Sequence, residues 1–273
     1  MGHPGTRLAL FALLCGFTAV NLTPVIWAFL TSIKQPVDAF SIPPKLIFSP
    51  TFEFHVRVWV EKEFWRFLIN SVIISVAVVG ISVPIGSLAA YALARIQTRH
   101  TRAILFGLLA MRMLPPILLA IPFFLMAKFL DLIDTYIAMI LALVALNQPF
   151  TIWLMRSFFL DVPIELDESA RMDGCNAWQA FRLVVLPLVR PGLVVTAMFS
   201  LLLAYNEFLF ALILTGSATR TLPVAIAEYG AEDISYWSLS AAGAIGIMLP
   251  VVLFAIFLQR HLVRGLTFGA VKG

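Results

Sequence analysis

Long apolar runs alternate with short polar segments along almost the whole chain. A hydrocarbon core about 30 Å thick is crossed by about 20 apolar residues in helical form. Six stretches reach that length: Leu8–Thr31, Phe67–Ala94, Ala103–Phe129, Thr135–Met155, Gly192–Thr215 and Ser238–Leu258. The pattern predicts an all-α integral membrane protein with six transmembrane helices, read as one domain over residues 1–273. The first run is too long for the apolar core of a signal peptide. No small-x-small cleavage site follows it at Ser32-Ile33-Lys34, so a retained helix is expected. Between the first two runs, a Pro- and Phe-rich segment predicts an ordered cap of turns with a short helix near Glu61–Phe67.

Composition agrees with lipid as the solvent. The chain is 61% hydrophobic and 12% charged, where soluble domains carry about 25% charged residues. The net charge of +4 is not gathered in aromatic-lined basic patches, so nucleic acid is not an expected partner. The basic residues instead favour one side. Arg7, Arg95, Arg99, Arg102, Arg156, Arg171, Arg182, Arg190, Arg260, Arg264 and Lys272 fall in alternate segments and outnumber the acids there. By the positive-inside rule both termini are cytoplasmic. Cys15 and Cys175 form no framework, and His3, His55, His100 and His261 make no ligand spacing, so no metal site is expected.

One polar stretch, residues 157–190, lies on that inner side. Within it Glu168 to Pro187 read ESARMDGCNAWQAFRLVVLP, of the form E-x-A-x3-G-x9-V-x-L-P. Asp161 is expected to cap a helix with Pro163 in its first turn. Glu165, Asp167 and Glu168 would complement the positive end of its dipole. Gly174 suits a left-handed helix end, Asn176 a second start, and Pro187 with Pro191 a break into the fifth run. Spacing alone also allows an amphipathic connector lying in the interface.

The stretch resembles the EAA loop of ABC importer permeases, with Glu168-Ser169-Ala170 where the family has E-A-A. The Tyr205-Asn206-Glu207-Phe208-Leu209 run and the tail 259–273, which ends R-G-L-T-x-G-A-V-K-G (264–273), are similar to the maltose-type (MalG-like) sugar permeases. That resemblance implies a permease subunit of a binding-protein-dependent importer of a sugar or related polyhydroxyl solute in a bacterial or archaeal cytoplasmic membrane. It implies as partners a sister permease, two cytoplasmic ATPase subunits that bind ATP and Mg, and an extracytoplasmic solute-binding protein. It assigns ATPase coupling to Glu165, Leu166, Glu168, Ser169, Ala170, Met172, Asp173, Gly174, Leu186 and Pro187. A second contact would come from Gly265, Leu266, Thr267, Gly269, Val271 and Lys272 in the tail. The chain has no P-loop, so ATP hydrolysis falls to another chain and this one is no enzyme and carries no cofactor.

Polar residues inside apolar runs usually face a cavity or a partner. Arg112 precedes Pro115-Pro116, which must interrupt the third run. Asn147 and Gln148 precede Pro149 in the fourth, and Tyr205, Asn206 and Glu207 lie in the fifth. These residues either line a pathway for sugar hydroxyls or join helices, with Arg112 and Glu207 as an ion pair. A self-contained six-helix secondary transporter is the alternative function, but it would show paired broken helices in two matching halves, and none is visible.

Overall fold

A computed structural model describes residues 4–232 and 237–267, and all regular structure among them is helical. In chain order the helices are α1 (Pro4–Ser32), α2 (Phe64–Arg95), α3 (Arg99–Met113), α4 (Pro116–Phe129) and α5 (Tyr136–Leu160). They continue with α6 (Glu165–Met172), α7 (Ala177–Leu188), α8 (Arg190–Tyr205), α9 (Leu209–Leu214), α10 (Leu222–Glu232) and α11 (Trp237–Thr267). α1, α2, α5 and α11 are each long and apolar enough to cross a membrane. Counting α3 with α4 and α7 with α8 as bent pairs gives up to six spans.

The bends have local causes. α3 and α4 meet at 93° across Leu114-Pro115, where two consecutive prolines remove backbone donors and push the preceding residue out of helical geometry. α7 and α8 meet at 80° beside Pro187 and Pro191. The expected fifth span therefore differs. Its helix starts at Arg190, ends at Tyr205, and is separated from α9 by Asn206–Phe208. The short helix expected near Glu61–Phe67 lies earlier, at Glu53–Val56, and continues as a π-helical turn through Glu61. Glu63, with φ 51°, ends it before α2 begins. α11 runs on through Gly265, Leu266 and Thr267, which were expected in the tail beyond the sixth span. Gly269, Val271 and Lys272 lie outside the described residues.

The chain forms two compact units: Met1–Arg66 with Ala225–Leu249, and Phe67–Val224 with Pro250–Gly273. In the first, α1 turns its apolar side chains outward, and none of its most apolar window is buried. Lys34, after α1, is 1% exposed. Its ammonium lies 5.0 Å from the Trp27 ring and 4.9 Å from the Phe48 ring, as cation–π contacts require. Thr51 N–H donates to Ile33 O at 2.9 Å and holds the returning segment.

The second unit has two cores. One joins Ile74 and Val78 of α2 to Ala120 of α4, Met139 and Leu143 of α5, and Phe210 and Leu214 of α9. The other joins Ala90 and Ala94 of α2 to Met155 and Phe159 of α5 and to Phe181 and Val185 of α7. Between helices that lipid surrounds, such contacts hold through close van der Waals packing and not through removal of apolar surface from water. Close packing depends on small residues. A Cβ on Gly86 would meet Thr151 of α5, and one on Gly192 would overlap the Phe158 ring.

Candidate functional site

The stretch 157–190 is built on the ends of α2 and α5. α5 ends at Leu160 with Asp161 as its C-cap. Asp161 thus closes the preceding helix and does not cap α6, whose first position follows Ile164 without a side-chain cap. The cause is Val162, 8% exposed in the second core, which turns the chain before Pro163. After α6, Gly174 takes φ +89°. Its N–H donates to Arg171 O and that of Cys175 to Ala170 O, both at 3.0 Å, which closes the helix as the sequence predicts. Asn176 then starts α7 with a reciprocal cap. Its Oδ1 accepts from Gln179 N–H at 2.9 Å, and Gln179 Oε1 accepts from Asn176 N–H at 2.9 Å.

α6 has two distinct faces. Asp167 is 4% exposed and Ala170 6%. Glu165, Glu168, Ser169, Arg171 and Asp173 are exposed. Leu166 is 38% exposed and Met172 89%. Ala170, expected to face a partner with Leu166 and Met172, is turned into the chain itself. Leu186 and Pro187 are half-buried at the end of α7.

The residue that ties α6 down is one that sequence reasoning read only as a dipole complement. Arg95 Nε donates to Asp167 Oδ2 at 2.9 Å, and Arg95 Nη2 lies 2.8 Å from the same oxygen. Tyr91 O–H donates to Asp167 Oδ1. Arg95 Nη1 also donates to Phe159 O at 3.0 Å, at the end of α5. The Tyr91 ring stacks with Phe159 and Phe181 at 5.6 Å and 4.9 Å between centroids. A Tyr and an Arg one turn apart, Tyr91 and Arg95, at the end of an apolar run were the available signal, since both would need an acceptor there.

The interrupted helices meet elsewhere in the second unit. A cavity of about 160 Å³ is lined by Arg112, Leu114, Pro116, Pro149, Glu207 and neighbours. A smaller one of about 70 Å³ adds Asn147 and again carries Arg112 and Glu207. The expected Arg112–Glu207 ion pair is not formed. Arg112 lies over the Phe150 ring at 5.6 Å, and Glu207 Oε1 accepts from Phe210 N–H at 3.1 Å, capping α9. Asn206 Nδ2 donates to Leu202 O at 2.9 Å and caps the end of α8. These two side chains bond to the backbone on either side of a break that contains no proline. Asn147 is buried and donates to Ser200 O at 3.2 Å and Ser200 Oγ at 2.8 Å, so it joins α5 to α8. Gln148 reaches Ser82 O of α2 at 3.4 Å. Tyr205 is buried.

A further cluster was missed. Asp134, just before α5 and with φ 59°, accepts from Gly216 N–H at 2.8 Å, Ala218 N–H at 3.0 Å, Thr219 N–H at 2.9 Å and Thr219 O–H at 2.8 Å. Burial pushes its carboxyl pKa up, but these donors outweigh it and hold the group at about 2. α2 reaches the same loop. Asn70 Nδ2 donates to Ala218 O at 3.2 Å and Arg220 O at 2.9 Å, Tyr136 O–H donates to Asn70 Oδ1 at 2.6 Å, and Leu222 N–H donates to Ser71 Oγ at 2.9 Å. Among the described residues no His, Cys, Asp and Glu grouping could hold a metal ion.

Comparison with known proteins places this arrangement. The family described as "Binding-protein-dependent transport system inner membrane component" matches residues 82–268, which include the EAA-like loop and both cavities. The chain is 40% identical to a probable ABC transporter permease, y4oR, of Sinorhizobium fredii, over 98% of this chain and 96% of that protein. It is 37% identical to the trehalose transport system permease SugB of Mycobacterium tuberculosis, over 92% and 93%. In fold it is similar to a chain of a crystal structure of a bacterial ABC transporter involved in the import of alginate, with TM-score 0.73 and 24% identity over 95% of this chain and 98% of that one.

Proposed function

The chain belongs to the family of binding-protein-dependent transport system inner membrane components, and from that premise we propose that it carries a sugar or related polyhydroxyl solute across a cytoplasmic membrane. It is a permease, a transport component and not an enzyme. In the proposed complex, a sister permease completes the path, two cytoplasmic ATPase subunits bind ATP and Mg, and an external binding protein delivers the solute. The relative named for trehalose supports the substrate class. Both termini and residues 157–190 are assigned to the cytoplasm, as the distribution of arginines favours.

The observation that carries the coupling role is α6 itself. It is anchored through Asp167 on one side and presents Glu165, Leu166, Glu168, Ser169, Met172 and Asp173 on the other, closed by Gly174 at φ +89°. An anchored helix with an exposed, partly apolar face is what a docking ATPase needs. An interfacial connector has no use for an anchor. The tail residues Gly265, Leu266, Thr267, Gly269, Val271 and Lys272 are assigned a second contact with the ATPase pair. Arg112 and Glu207 are assigned to the solute path. They face a shared cavity at the helix breaks without neutralising each other, which leaves a donor set and an acceptor for passing hydroxyls.

The test is the Gly174→Val variant in the full complex. A β-branched residue strains the left-handed position, so ATPase copurification and uptake should fall while membrane insertion persists. A Gly174→Val complex that assembles and transports at the native rate would refute the docking assignment.

A further inference from the structure

α2 carries polar clamps at both of its ends, and between them α5 reaches its backbone through Gln148 to Ser82 O at 3.4 Å and Arg156 to Leu93 O at 3.2 Å. At one end Tyr91 and Arg95 hold Asp167 of α6. At the other, Asn70 and Ser71 hold the 218–222 segment. The clamped positions are 25 residues apart, since 95 − 70 = 25, or about 37 Å along a helix rising 1.5 Å per residue. We propose that α2 is a transmission rod, through which displacement of the α6 helix reaches the loop after α9 on the opposite side of the membrane. This rests on the reading of α6 as the ATPase-docking helix.

The argument is mechanical. Apolar contacts resist compression but slide sideways at little cost, because they are non-directional. Directional hydrogen bonds and an ion pair pull as well as push. Asp167 receives Tyr91 and two nitrogens of Arg95 from a single turn of α2, so α6 cannot move without moving that turn. At the far end, Asn70 receives Tyr136 while donating to two backbone carbonyls, so the loop follows α2 in the same way. The same two ends are bonded to α5, by Arg95 to Phe159 O and by Tyr136 to Asn70, and Gly86 lets the helices pack closely between them, so α2 moves with α5 as one stiff unit. Asp167, Arg95 and Asn70 are thus positioning residues and touch neither solute nor ATP.

Two links in series predict non-additive effects, whereas structurally independent sites this far apart add. The experiment measures uptake, and hydrolysis stimulated by loaded binding protein, in proteoliposomes of the complete complex. The variants are Asp167→Asn, Asn70→Ala and their double, with Tyr91→Phe and Ser71→Ala as milder companions at each end. ATPase subunits should copurify with every variant. Each single change should lower stimulated uptake about two- to thirtyfold, the range seen for residues along coupling networks. The double should be no slower than its slower parent. A double whose loss equals the product of the two singles, or an Asp167→Asn complex transporting at the native rate, would overturn the rod. So would loss of the ATPase from Asp167→Asn. The separate control Met172→Asp addresses the docking reading. If that complex keeps its ATPase and its coupling, it is the reading of α6 that fails.

Discussion

Replacing Asp134 with Asn tests whether one carboxylate organises the 216–219 loop. The carboxylate accepts three backbone N–H groups and the Thr219 hydroxyl, and its pKa falls from 3.8 to about 2. At 1.36 kcal/mol per unit this difference corresponds to at most about 2.4 kcal/mol. The group is only part-buried, so solvent screening reduces the figure to roughly 1–2 kcal/mol. The sign follows from linkage. A depressed pKa gives stability that is fully present above pH 3.8 and is lost as pH falls toward 2. For a chain of this length, 1 kcal/mol moves the Tm by about 2–4 °C. Asp134→Asn should therefore melt roughly 2–8 °C below wild type at pH 7, measured by tryptophan fluorescence in detergent. The gap should shrink steadily between pH 4 and pH 2, because the protonated wild type then resembles the amide. An equal gap at pH 7 and pH 2.5, or none at pH 7, would show that the clamp does not act through the charge.

Gly192→Ala places a methyl group on the Phe158 ring and should cost about 1–3 kcal/mol by overpacking, read as a lowered Tm; an unchanged Tm would mean that α8 and α5 can separate freely. Asn147→Ala removes both bonds to Ser200 and should cost about 1–3 kcal/mol, with uptake per folded complex retained, so a stable variant that transports poorly would return Asn147 to the pathway. Glu207→Gln keeps an acceptor for Phe210 N–H and should be more stable by about 1 kcal/mol than Glu207→Ala, while both lower uptake; native uptake by both would remove Glu207 from the solute path.

The apolar runs were legible because their length is set by the bilayer. The bend at Leu114-Pro115 was legible because proline announces it. The break at Asn206–Phe208 was not, because nothing there forbids helix. It is stabilised by two side chains whose capping roles appear only once the chain has turned. Gly174 was visible because a left-handed helix end nearly requires glycine. Asp167 was hidden for the opposite reason. Flanked by other acids on a polar helix, it looks like its neighbours, and only the fold, by bringing Arg95 to it across 72 residues, singles it out. Ala170 was misplaced similarly, since a short amphipathic helix gives no sign of which apolar residue faces its own chain. Arg112 and Glu207 were correctly brought together, but as partners, when each had a nearer one.

The break between α8 and α9 also bears on how tightly the protein insulates. A helix interrupted at mid-membrane usually leaves carbonyls and amides that recruit water, and a file of such waters conducts protons. Here Asn206 occupies the carbonyl of Leu202, and Glu207 occupies the amide of Phe210. Those two groups need no water, so they give a file of waters at the interruption nothing to bind.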